Sequence, residues 1–335
     1  MLNAYGTANG CLTEFASSAP PLVPADAVWL DLIAPTAEEE AAVEAQLGID
    51  IPTREELAEI EASSRLYQED GAQFMTANLI RRGEHDEPDS SPVTFIIKDN
   101  ILITIRYHHP QAFPAYVKRA MKPQTTAMTG WGVLISLLEA VVDRAADHLE
   151  RAGQIVDETS KKTFGAKRAL SGVHKSKSRK SVNLQELIEK IGEEGDFVSK
   201  MRESLVSIGR VVAFMQAIMD QMRQSKAMKE NRARTKIVQR DIVSLTDHAT
   251  FLNGKISFLL DAVLGLISIE QNGIIKIFSV AAVVFLPPTL VASIYGMNYK
   301  HMPELEWAYG YPFGIGLMIL SAILPFLYFK LKGWL

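Results

Sequence analysis

The order of apolar and polar positions divides the chain into three regimes. Up to about position 122 short runs alternate. VWLDL (28–32) reads as a strand, and Pro35, Thr36 and Glu39 make a capping box ahead of a helix that ends at Gly48. A second helix is predicted after Thr53, with Glu55 and Glu56 in its first turn. Strands are predicted over 72–80, 92–98 and 101–106, the last two joined by an Asp99-Asn100 hairpin turn, with 81–90 a polar loop. From Thr125 the period turns helical. Leu134, Leu137, Leu138, Val141 and Val142 mark a helix over 131–154. The basic run 161–180 reads as a solvated connector, and helix resumes at Asn183. The methionines between Met201 and Met228 read as packing between helices.

A third pattern follows. Ile242, Leu245, Ala249, Leu252, Ile256, Leu259, Val263 and Leu266 alternate by threes and fours, a heptad seam. No proline interrupts 235–286, so one helix over 235–296 is predicted, on the order of 90 Å at ~1.5 Å per residue. Pro287 and Pro288 are expected to kink it. Its upper part, 274–295, is apolar apart from Lys276, and a second stretch, 311–329, carries no charge. About 20 helical residues cross a ~30 Å hydrocarbon core, so the two make a hairpin of spans around a short polar segment. Lys276, Lys330 and Lys332 flank the spans at one side, which places both termini in the cytoplasm and the loop outside. Trp307, Tyr309 and Tyr311 then lie at the outer interface and Trp334 at the inner one.

One face of the first span differs from the rest. Asp261, Gly265, Ser268, Asn272, Ile275, Ser279, Ala282, Leu286, Thr289 and Ser293 recur at helical steps and are mostly polar or small. Two readings are open at this point. Small residues favour close helix packing; several copies of the same face would instead enclose a water-filled lumen.

Composition narrows the class. A net charge of −4 over 335 residues gives no electrostatic case for nucleic acid as a partner. The single cysteine, Cys11, has no partner for an internal disulfide, which suits a reducing cytoplasm. The start, MLNAYGTANG, lacks the basic and apolar regions of a signal peptide. His85, His108 and His109 lack metal-ligand spacing, and the adjacent pair past a strand end reads as surface. No phosphate-cradling glycine loop with its lysine is present, so neither ATP-driven pumping nor an enzyme is expected.

The region around the loop carries a family resemblance. GMN (296–298) closes the first span, MPEL (302–305) follows, and YFKLKGWL ends the chain; with IEQNGIIKIFSVAAVVFLPPTLVASIYGMN (269–298) this resembles the CorA family of magnesium transport proteins. The resemblance implies an α+β cytoplasmic domain, a long helical stalk and two C-terminal transmembrane helices, assembled as a homopentameric funnel. The expected division is a cytoplasmic α/β domain at 1–122 and a cytoplasmic helical region at 123–235 with the basic connector at 161–180. A stalk running into the first span occupies 236–296, an external loop 297–310, a second span 311–329 and a tail 330–335.

By the same resemblance Gly296, Met297 and Asn298 form the selectivity motif, with Asn298 ringing the outer mouth. Thr289, Asn272 and Asp261 match polar pore positions, and the stripe as a whole becomes the pore lining. Ile275, Phe278 and Leu286 are candidates for a hydrophobic gate, and Glu304 and Glu306 for attracting cations outside. The implied activity is potential-driven uptake of Mg²⁺, with Co²⁺ or Ni²⁺ as further cargo, across an inner membrane. The implied partners are further copies of the chain, lipid and divalent cations. Mg²⁺ is both cargo and regulatory ion; no other cofactor is expected, and the regulatory carboxylates are not assignable. Alternatives are a zinc-transporting relative, against which Met297 argues, and a membrane-anchored helical scaffold or sensor without flux.

Overall fold

A computed structural model describes residues 1–8, 10–15, 23–57, 61, 65–81, 88–122, 128–170, 184–222, 225–297, 302–303 and 307–332, with side chains of 165–170 left aside. It divides into two compact units, Met1–Leu260 and Asp261–Leu335.

The first unit is built on a seven-stranded sheet of order β2-β1-β3-β7-β6-β5-β4. Its strands are β1 (Leu2–Ala8), β2 (Cys11–Glu14), β3 (Ala27–Ile33), β4 (Leu66–Glu69), β5 (Ala72–Arg81), β6 (Asp89–Lys98) and β7 (Ile101–Arg106). Neighbours are antiparallel except β3 and β7, whose parallel register pairs Asp31 with Thr104 and Ile33 with Arg106. The β6–β7 hairpin closes through Asp99 and Asn100 at φ 47° and 70°, the left-handed pair that a two-residue turn requires. Helix α1 (Ala37–Leu47) starts at the expected box. The Glu39 amide donates to Thr36 Oγ1, and the Thr36 amide to Glu39 Oε2 at 3.0 Å. It stops at Gly48, which adopts φ 60°. Beyond it α2 (Arg54–Leu57) is a single turn held by Glu56 on Thr53.

Two faces of the sheet are covered. Leu30, Leu32, Phe74, Ile96, Ile103 and Ile105 pack with Val43 of α1 and Leu57 of α2. On the other face Trp29 meets Phe113 and Tyr116 of α3 (Ala112–Ala120). Helix α4 (Gly130–Leu170) begins against the β6–β7 turn: the Gly130 amide donates to the Asn100 carbonyl at 2.8 Å, and a Cβ there would collide with that carbonyl. Because α4 extends to Leu170, the run from Lys161 opens as helix rather than as a connector. Val156, Thr159 and Thr163 bury one face of it, and both threonine hydroxyls donate four residues back. The rest of the basic run lies outside the described residues.

Helices α5 (Leu184–Gln221) and α6 (Lys226–Tyr295) complete this unit's bundle. The heptad seam is buried at seven of its eight positions: Ile242, Ala249, Leu252, Ile256, Leu259, Val263 and Leu266 are all under 9% exposed, and Leu245 is half-buried. Glycines meet it. A Cβ on Gly195 would stand 3.3 Å from Ile256 and one on Gly209 3.4 Å from Ile242, so the missing side chains let α5 approach α6. Arg234 also clasps Glu139 of α4 through bonds of 2.9 and 2.7 Å.

The second unit holds the upper part of α6 and α7 (Gly310–Leu331). The backbone of α6 stays helical through Pro287 and Pro288. Both helices are long and apolar enough to cross a bilayer, and only 6% of either apolar window is buried.

Candidate functional site

The residues of α6 within the second unit sort into two faces. Val263, Leu266 and Val280 are buried, while Gly273, Lys276, Ala281, Val284, Pro287, Pro288, Val291 and Tyr295 are half-buried. On α7 Gly314 is buried and Met318, Ser321, Ala322, Pro325 and Phe329 are half-buried, again at steps of three and four. All ten members of the polar stripe, from Asp261 to Ser293, are exposed. At 100° per residue the stripe is centred roughly 150° round the helix from the covered face.

The stripe is therefore not the surface that packs within this chain. Gly265 makes the point separately, because a Cβ added to it would meet open space. Among the described residues nothing requires a small residue there.

Chemistry along the stripe is acceptor-rich. Asp261 is its one charged residue. The Thr289 hydroxyl donates to the carbonyls of Phe285 (3.1 Å) and Leu286 (2.8 Å). With its proton committed to the helix, the oxygen presents lone pairs outward. Ile275 and Leu286 lie on the stripe itself and are 62% and 64% exposed. Phe278, 71% exposed, sits about 60° round the helix from Ile275 and flanks the stripe rather than belonging to it.

At the end of α6 the backbone tightens. The Gly296 amide donates to Ala292 and the Met297 amide to Ile294, at 2.9 and 3.2 Å. A Cβ on Gly296 would stand 3.1 Å from the Ala292 carbonyl, so glycine permits that last turn. Asn298, Glu304 and Glu306 lie outside the described residues. Among the described residues no group of three or more His, Cys, Asp or Glu is placed to hold a metal ion.

The family model for CorA-like Mg²⁺ transporter proteins matches residues 24–331. The magnesium transport protein CorA of Escherichia coli (strain K12) is 36% identical over 336 residues, covering all of both chains. The chain belongs to the CorA family. Its fold agrees with the complete structure of the CorA magnesium transporter from Methanocaldococcus jannaschii, with a TM-score of 0.74 at 19% identity over 100% of this chain and 99% of that one. The ZntB cytoplasmic domain from Vibrio parahaemolyticus is similar in fold, with a TM-score of 0.58 at 10% identity over 79% of this chain and 97% of that one.

Two features of this CorA-family chain escape a reading by sequence. His108 is not a surface residue. Its Nε2 bonds the Leu79 carbonyl at 3.2 Å, its ring is buried, and burial pushes its pKa down to about 4, helped by Arg106 and Arg81. Its neighbour His109 is exposed as expected. The second feature is a buried ion pair, Asp31–Arg106. The Arg106 Nε donates to Asp31 Oδ1 at 3.0 Å and Nη2 to Oδ2 at 2.9 Å. Thr104 donates to the same carboxylate at 2.7 Å, and Trp29 donates to Thr104 at 3.0 Å. The available signal was a charge at the fourth place of VWLDL and another ending ILITIR, each inside an apolar run.

Proposed function

We propose that the protein is a Mg²⁺ channel of the inner membrane, in which five copies bring the stripe of α6 together around a water-filled pore. The carrying observation is the exposure of the whole stripe on the single chain, opposite the covered face, in a family member that matches a CorA relative across all of both chains. The oligomer number follows the family resemblance; the exposed stripe supports self-association around that face. Helices α6 (from 274) and α7 are read as the two spans, with both termini in the cytoplasm.

Mg²⁺ gives up its water slowly, so a fast pathway is one that reads the hydrated ion. The waters of a bound cation point their hydrogens outward and need acceptors. A ring of Asn298 carboxamide oxygens at the outer mouth supplies them without charge, holding the ion weakly enough to release it. Thr289 and Asn272 continue the same chemistry inward, and Asp261 adds a carboxylate at the inner end. Glu304 and Glu306 concentrate cations outside. Ile275 and Leu286 form apolar rings that close the pore by dewetting when the helices draw in, with Phe278 packing at their flank. Cytoplasmic Mg²⁺ that binds the closed arrangement more tightly than the open one supplies feedback. The driving force is the membrane potential, about 4.6 kcal/mol per 100 mV for a divalent ion, twice the single-charge value.

The test is Mg²⁺ flux into liposomes holding the purified protein. Wild type should conduct under an inside-negative potential, and Asn298→Ala should abolish selective flux. Unchanged flux in that variant would remove Asn298 from the pathway, and no flux in wild type would remove the channel.

A further inference from the structure

The Asp31–Arg106 pair takes no part in that pathway, yet it lines a cleft in the first unit. The cleft encloses about 360 Å³, and its lining includes Tyr5, Arg106, His109, Phe113, Val117 and Lys118. That volume lies at the lower end for sites that take small organic molecules. A buried ion pair contributes little net stability compared with apolar side chains of equal size. Its place beside an open cleft points to recognition instead.

The polar groups around the cleft are mostly donors, with Asn3 adding a carboxamide that both donates and accepts. Of the five N–H groups of Arg106, Asp31 receives two, and the His108 carbonyl and His109 Nδ1 receive one each, at 2.8 and 3.3 Å. A guanidinium accepts no hydrogen bond, so His109 accepts at Nδ1 and carries its proton on Nε2. Burial, with Glu14 and Asp31 close by, pushes the Tyr5 hydroxyl up to about 12, so it remains a neutral donor at physiological pH. Lys118 is exposed and adds a positive charge. The carboxylate on the lining, Asp31, is already engaged by Arg106 and Thr104. The opposite character is supplied by α3. Phe113 lies under the Arg106 guanidinium at 4.5 Å, and Pro114, Val117 and Met121 extend an apolar wall from it.

We propose that this cleft binds a small organic anion, a carboxylate or phosphate carried on an apolar body. Lys118, the His109 Nε2–H and the remaining N–H of Arg106 take the charged end, and Pro114, Val117 and Met121 take the body. The inference is independent of the transport reading, since it concerns the first unit alone.

Isothermal titration calorimetry on the full chain in lipid nanodiscs tests it, with phenyl phosphate, benzoate, inorganic phosphate and benzylamine as probes. At least one aromatic anion should bind saturably, with inorganic phosphate at least about ten-fold weaker and benzylamine without saturable heat. Tighter phenyl phosphate would assign the natural ligand as a phosphate, and tighter benzoate as a carboxylate. Lys118→Glu should weaken the preferred anion by at least about ten-fold, while Lys229→Glu, an equal charge change at an exposed position on α6, leaves it unchanged. Silence with both aromatic anions would overturn the proposal. So would equal weakening by the two charge reversals, benzylamine binding as tightly, or inorganic phosphate matching phenyl phosphate.

Discussion

Helix α6 carries two apolar patterns that look alike in sequence and end in different surroundings. Between Ile242 and Leu259 the seam is buried within its own chain against α4 and α5. The seam runs on to Val263 and Leu266, both buried, but the stripe residues from Ser268 to Ser293 are exposed, and large apolar neighbours such as Ile277 and Phe285 stand 71% and 69% open. The first arrangement is satisfied by one copy. The second leaves polar and apolar surface uncovered in a single chain, which is what a helix between lipid and a shared pore requires. The lesson is that helical periodicity reports a face, while only the partner decides what the face is for.

The largest expected effect tests the satisfied half. Leu259→Ala should lower the stability of the first unit by about 2–5 kcal/mol, read as a shift of its thermal or denaturant midpoint. Leu286→Ala, on the exposed stripe, should leave that midpoint unmoved and instead raise resting Mg²⁺ flux. Equal destabilisation by both would break the distinction between the two halves.

An acid titration sharpens the same contrast with a somewhat smaller effect. His108 is held neutral by burial, with its pKa lowered from 6.5 to about 4. Between those values the unfolded chain binds a proton that the folded chain does not, so stability falls as pH falls through that window. The loss is on the order of 3 kcal/mol and levels off below the lower value. His108→Gln should flatten the dependence between pH 6.5 and 4, followed by chemical denaturation at each pH. An unchanged slope would place the acid sensitivity elsewhere.

The smallest effect concerns a local device. Gly48→Ala forces a Cβ into the left-handed cap of α1 and should cost about 1 kcal/mol in the first unit without altering flux. A change in conduction from that variant would tie the α1 cap to the pore.

What could be read in advance follows the range of the interaction. The α1 box, the Gly48 stop and the Asp99-Asn100 turn are closed within a few residues, and each stands where the pattern placed it. The seam and the stripe were legible because helical spacing alone defines them. Strands β1 and β2 were not: LNAYGTA holds few large apolar residues, and its place depends on pairing with β3 about 25 residues on. Pro114 and a short length hid α3. Asp31 and Arg106 are 75 residues apart and meet only because β3 and β7 run parallel in one register. The charge that begins at Lys161 concealed the continuation of α4 to Leu170, whose buried face runs through Val156, Thr159 and Thr163.

The most direct measurement of the central claim is aqueous accessibility of the stripe in the membrane. In a Cys11→Ser background, single cysteines placed from 272 to 293 would be treated with a charged, membrane-impermeant thiol reagent. Reaction should recur at 272, 275, 279, 282, 286, 289 and 293, protected by Mg²⁺ at the polar positions, with Val280 and Phe285 unreactive. Silence along the whole stripe in high and low Mg²⁺, or reaction without helical period, would contradict a shared aqueous pore.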